Sequence, residues 1–196
     1  VYGPWGPVVA ATRIPATVAA LASSGYTGYM AYSEGVFDDV NKALLGGLSS
    51  GMFSDAASLL AAYAERYLGA KGAERESWAA WIAQWSDPFA VNTAAARQEY
   101  KRLARGAPQS WRLAQLEAKL ALFEAHNAVR ESTVWDKARM AAAERFFATR
   151  ERLQRGIWGL GLVRHVLADC RWPPDWLDDW KAQRRARYGF AAGPSL

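Results

Sequence analysis

An acidic residue set between a run of aromatics and a helix start is the first place in this sequence where chemistry could gather. Tyr29-Met30-Ala31-Tyr32-Ser33-Glu34-Gly35-Val36-Phe37 leads directly into Asp38-Asp39-Val40-Asn41-Lys42. A glycosidase needs two carboxyl groups flanking the bond it cleaves, roughly 5–5.5 Å apart for retention or 6.5–9.5 Å for inversion. Glu34 could be one of them, or it could hydrogen-bond sugar hydroxyls. No second member offers itself, because Asp38 and Asp39 follow closely and read as helix caps. Tyr29, Tyr32, Phe37 and Trp5 could form a wall on which the apolar face of a pyranose ring stacks, and Asn41 and Lys42 could reach the same pocket from the first turn of the next helix. Each has a plainer reading beside it. Glu34 could cap a helix or pair with a neighbour, the aromatics could be ordinary core, and Asn41 and Lys42 could lie on a solvated face.

Other chemistries find less support. His126 and His165 are the only histidines; they fall on different helices, and each reads as structural or exposed. Cys170 is the only cysteine, which excludes an internal disulfide and a thiolate metal cage. The glycines from Gly156 to Gly161 lack the strand that a phosphate-binding loop requires. No cofactor is therefore expected. The net charge of +5 comes from basic residues interleaved with acidic ones along helices, so nucleic acid is not an expected partner, and Arg184-Arg185-Ala186-Arg187 is too short to change that. No apolar run reaches the roughly 18 residues of a membrane span, and the N-terminus lacks the pattern of a signal peptide. Val1 in place of Met predicts that the chain begins inside a longer protein or after a processing cut.

The elements that must hold Glu34 follow from turn and capping signals. Pro15 to Ser23 reads as a short helix stopped by Gly25, and Tyr26 to Tyr32 as a strand closing on Ser-Glu-Gly. A helix then carries Val40, Ala43, Leu44 and Leu48. One strand cannot make a sheet, so it is expected to pair with strands outside this chain.

From Ser54 onward the pattern is helical. Ser54 and Asp55 cap a helix with Leu59, Leu60, Tyr63, Tyr67 and Leu68 that ends at Gly69. After a connector at 71–74, Ser77 to Trp85 places Trp78, Trp81, Ile82 and Trp85 on one stripe. Asp87-Pro88 breaks it, and Phe89 to Arg105 resumes. The helix from about Gln109 to Arg130 has Leu113, Leu116, Leu120, Phe123 and Asn127 in a near-heptad rhythm, and a second runs from Val134 to about Arg155 with Ala138, Ala142, Phe146 and Leu153 inward. Thr133 and Asp136 resemble a capping box for it. Arg171-Trp172-Pro173-Pro174 stops the pattern before a last short helix with Trp176, Leu177 and Trp180.

With 51% hydrophobic and 22% charged residues in 196, a sizeable buried core is expected. Ten Trp suit either large rings packed between helices or a carbohydrate-handling surface; their helical spacing favours the first.

Tyr32-Ser33-Glu34-Gly35 followed by Asp38-Asp39-Val40-Asn41-Lys42, with the later Tyr63-Ala64-Glu65-Arg66-Tyr67, resembles a segment of large bacterial glycoside-hydrolase-like proteins that closes a (β/α)8 barrel and leads into a helical C-terminal region. The likeness covers about residues 13–70. It implies that Tyr32, Glu34, Asp38, Asn41 and Lys42 match the motif and that Glu34 faces the sugar site. The expectation is thus a mainly α chain: residues 1–52 the last strand and helix of a barrel, 53–188 a helical C-terminal domain, 189–196 a flexible tail. It would be part of a carbohydrate-active hydrolase, extracellular or periplasmic and inactive without the rest of the barrel. The rival expectation is a non-enzymatic helical module that buries a protein partner.

Overall fold

Caps or buried stripes define most helices of the structure, a computed structural model that describes residues 8–25, 27–28, 30, 38–131, 134, 136–150 and 152. In chain order the elements are α1 (Arg13–Ser23), α2 (Asp38–Ser49), α3 (Ala56–Leu68), α4 (Glu74–Ala83) with a 3-10 turn at Gln84–Ser86, α5 (Thr93–Leu103) and α6 (Trp111–Glu131). Residues 137–150 are also helical. The protein is mainly α, as expected, and no strand occurs among the described residues. Thr27, Gly28 and Met30 are not in a strand; the rest of the expected Tyr26–Tyr32 strand lies outside the described residues.

α3 shows how local signals set the boundaries. Asp55 Oδ1 accepts a hydrogen bond from the Ser58 amide at 2.7 Å, satisfying a free N–H of the first turn. Leu59, Leu60, Tyr63, Ala64 and Leu68 bury one face. Gly69 ends the helix at φ +70°, and a Cβ there would also come within 2.8 Å of Pro108, so both backbone and neighbour require glycine. Asn92 caps α5 in the same way through the Ala95 amide, and Ser110 Oγ accepts from the Leu113 amide at the start of α6.

Some boundaries differ from the sequence expectation. α4 begins at Glu74, where acidic Glu74 and Glu76 complement the helix dipole, so part of the expected connector is helix. Residues 87–90 form a turn closed by the Ala90 amide on the Asp87 carbonyl, which delays α5 to Thr93. Asp136 caps the helix at 137–150, Oδ1 accepting from the Arg139 amide, while Thr133 lies outside the described residues. On that helix Ala142 is buried but Ala138 is exposed, a correction to the expected inward set, while Leu153 lies outside the described residues.

α3 and α4 pack most closely, α2 packs on α3, and α4, α5 and α6 follow in turn, with α6 returning to α3. Between them sits one apolar core whose centre is aromatic. Trp78, Trp81 and Trp85 meet edge to face at 5.5–5.7 Å, and Trp85 stacks on Phe123 at 4.8 Å. Trp81 Nε1 donates to the Ala96 carbonyl at 2.9 Å and Tyr100 Oη to the Leu113 carbonyl at 3.2 Å, tying the rings to α5 and α6. α6 buries Leu113, Leu116, Leu120 and Phe123, as its rhythm predicted.

One segment without secondary structure belongs to this core. Val9 is fully buried, and its amide donates to the Trp85 carbonyl at 3.2 Å. Residues 8–11 thus form a strap across the helices.

Candidate functional site

The start of α2 is where the expected site and the structure meet. Glu34, Tyr29, Tyr32, Trp5 and Phe37 lie outside the described residues. Asp38 is the first residue of α2, and its side chain is outside them too. Asn41 and Lys42 are described. Lys42 lies on the exposed face of α2. Asn41 is turned to the strap: its Oδ1 accepts from the Ala10 amide at 2.8 Å and its Nδ2 donates to the Val8 carbonyl at 3.0 Å. Both ends of the amide are therefore engaged with backbone, which satisfies two polar groups of an otherwise buried segment.

Asp39 is not the cap that its position suggests. Its carboxylate takes two hydrogen bonds from Arg112 of α6, Nε at 2.7 Å and Nη2 at 3.1 Å, and a third from Tyr63 Oη of α3 at 2.5 Å. This is the fork geometry that makes Arg–carboxylate pairs strong and directional. The Arg112 guanidinium also stacks on two rings, 3.9 Å from the Tyr67 centroid and 4.2 Å from that of Trp111. Lys119, about two turns further along α6 and only 3% exposed, adds a second positive charge felt by Asp39.

The electrostatics follow from these contacts. Burial pulls the Asp39 carboxyl upward, but the hydrogen bonds from Arg112 and Tyr63 and the charges of Arg112 and Lys119 outweigh it, leaving the group below the usual carboxylate range. Burial first, and then acceptance by Asp39, push the Tyr63 hydroxyl up, so it stays a proton donor to the carboxylate. A carboxylate held ionised by that many donors is a poor general acid. Asp39 therefore acts as a brace between α2, α3 and α6.

Sequence reasoning missed this brace. Asp39 and Arg112 are 73 residues apart, and no local pattern pairs them. The one visible hint is the aromatic spacing of Tyr63 and Tyr67 on α3, whose rings lie 4.9 Å apart beside the guanidinium site.

A second polar set links α5 to α6. Arg97 makes a bidentate pair with Glu124 at 2.8 and 2.6 Å and lies 3.6 Å from Glu117. Tyr100 is pushed up to about 12 by burial and by the Glu117 charge. His126 packs between the rings of Phe89 and Phe146, and burial lowers its pKa. Among the described residues no group of three or more His, Cys, Asp or Glu could hold a metal ion, and no helix is long and apolar enough to cross a membrane. His165 and Cys170 lie outside them.

Comparison of the chain with protein-family models, with curated proteins and with solved structures finds no match.

Proposed function

We propose that this chain is the C-terminal part of a carbohydrate-active hydrolase, with residues 1–52 closing a (β/α)8 barrel, residues 53–188 forming a helical domain behind it, and Glu34 serving as acid/base or sugar ligand. The observation that carries the reading is the bracing of α2. The helix starts at Asp38, just after Tyr32-Ser33-Glu34-Gly35, and Arg112, Tyr63 and the strap hold its first turn from three directions. Catalytic groups work when rigid elements fix them, and barrel enzymes carry theirs at the junction of strand and following helix. In this reading Tyr29, Tyr32 and Trp5 stack on the sugar, Asp38 and Lys42 lie beside it, and Asn41 contributes by fixing the strap.

The test is Glu34→Gln in a chain that includes the upstream barrel units, with turnover measured on aryl glycosides. Loss of one catalytic carboxyl is expected to lower kcat by about 10²–10⁴-fold. Rates within twofold of the unmutated enzyme would overturn the assignment.

A second reading, a non-enzymatic helical module, is favoured by the exposed aromatic rings of Phe89 and Phe147. The coding sequence upstream of Val1 separates the two: further βα units there support the hydrolase.

A further inference from the structure

Trp111 is the one tryptophan among the described residues that faces solvent. It opens α6, and 53% of its surface is exposed, although the ring is braced by Arg112 at 4.2 Å. That guanidinium is itself fixed, bound to Asp39 and stacked on Tyr67. A large ring that is both immobilised and left wet has its ordering cost met in advance, which favours a ligand that stacks on it.

The ring borders a groove of about 440 Å³ on α6, inside the roughly 300–1,000 Å³ range of small-ligand sites. Ala114 and Ala118 make its floor apolar, and Gln115, Glu117 and Arg152 stand round it. The Glu117 carboxylate is 60% exposed and touches Arg97 only at 3.6 Å, so it has oxygens to offer. An aromatic face, a smooth floor, an amide, a carboxylate and a guanidinium together match a pyranose. The ring stacks on the sugar's C–H face, and the three polar groups pair with hydroxyls as both donors and acceptors. The opposite charges of Glu117 and Arg152 balance and Gln115 is neutral, so an uncharged sugar fits better than a uronic acid. A protein partner would need on the order of 1,200 Å² of buried surface for a specific contact, far more than this groove offers.

We propose that the groove beside Trp111 is a binding subsite for a neutral oligosaccharide, separate from Glu34 and non-catalytic. The choice of sugar as ligand deepens the carbohydrate reading above, but the subsite binds whether or not Glu34 is catalytic.

The experiment is calorimetric titration of the chain with cellohexaose, xylohexaose, maltohexaose and chitohexaose, with a polygalacturonate oligomer as the charged control. Saturable binding of at least one neutral oligomer is expected, weakened about tenfold by Trp111→Ala and less by Trp111→Phe, which keeps a stacking ring. Gln115→Ala provides a second variant away from the brace. Turnover of the Glu34→Gln enzyme reads out the catalytic assignment and titration of Trp111→Ala reads out the subsite, so failure of either is seen separately. The proposal is overturned by absence of binding across the panel, by binding that neither Trp111→Ala nor Gln115→Ala weakens, or by self-association of the chain that Trp111→Ala abolishes, which would assign the ring to a protein contact.

Discussion

Trp78, Trp81 and Trp85 are no more than 3% exposed and touch one another ring to ring, whereas Trp111 keeps more than half its surface in water and leans on a guanidinium. The first group lies at helical spacing on one stripe and makes a dry core, held by area and dispersion, which pH and salt scarcely touch. The second sits at the edge of a charged joint between α2, α3 and α6, where direction comes from the fork between Asp39 and Arg112. The same residue type thus serves bulk in one region and presentation in the other, and only position on the helix distinguishes them.

The contrast can be broken most forcefully from the core side. Trp81→Ala is expected to cost about 3–5 kcal/mol in denaturant unfolding, because it removes a buried ring and leaves a cavity among Trp78, Trp85 and Tyr100. A loss under about 1 kcal/mol would mean that the aromatic cluster is not the stabilising centre.

Asp39→Asn, on the joint, is expected to cost about 2 kcal/mol at neutral pH, since a charge-assisted pair becomes a neutral one. It should also change the shape of the acid limb. Asp39 has a depressed pKa when folded, so its contribution is complete above the ordinary carboxylate value of about 4 and fades as pH falls through the lower folded value. Unfolding free energies of the parent chain and Asp39→Asn should therefore converge as pH falls from 5 towards 2, whereas Trp81→Ala stays parallel to the parent. Parallel curves for Asp39→Asn would remove the joint's electrostatic character.

A finer comparison lies within the core. Trp81 Nε1 donates to Ala96, while the buried Trp85 Nε1 has no acceptor among the described residues. Both Phe substitutions remove similar volume, but Trp81→Phe loses a buried hydrogen bond to the Ala96 carbonyl, whereas Trp85→Phe removes an unsatisfied donor. Trp81→Phe should be the more destabilising by about 1 kcal/mol, read from denaturation midpoints. Equal losses would mean that the Ala96 hydrogen bond contributes nothing net.

Much of the helical body was legible because its signals are local. Asp55 and Gly69 bracket α3, and the Leu113-Leu116-Leu120-Phe123 rhythm marks the buried face of α6. The site was less so. Asp39 reads as a cap because an acidic residue at a helix start usually is one, and its true partner lies on a helix 73 residues away. Asn41 reads as a solvated or sugar-facing amide because periodicity says nothing about a loop folding back over the helix. The strap itself follows a Gly- and Pro-rich stretch, and Val9 carries no pattern that announces burial. Glu34, on which the functional proposal turns, lies outside the described residues, and its assignment rests on the resemblance and on the bracing of the helix that follows.

The strap has a kinetic consequence. Its two bonds to Asn41 join residues 31 and 33 positions apart, and its bond to Trp85 reaches further still. Contacts that close long loops tend to form after local helices have gathered, because the entropy of closure comes due before the contact exists. Residues 8–11 are therefore expected to act as a latch that closes after the helices have packed, with Val9 the residue that seals it.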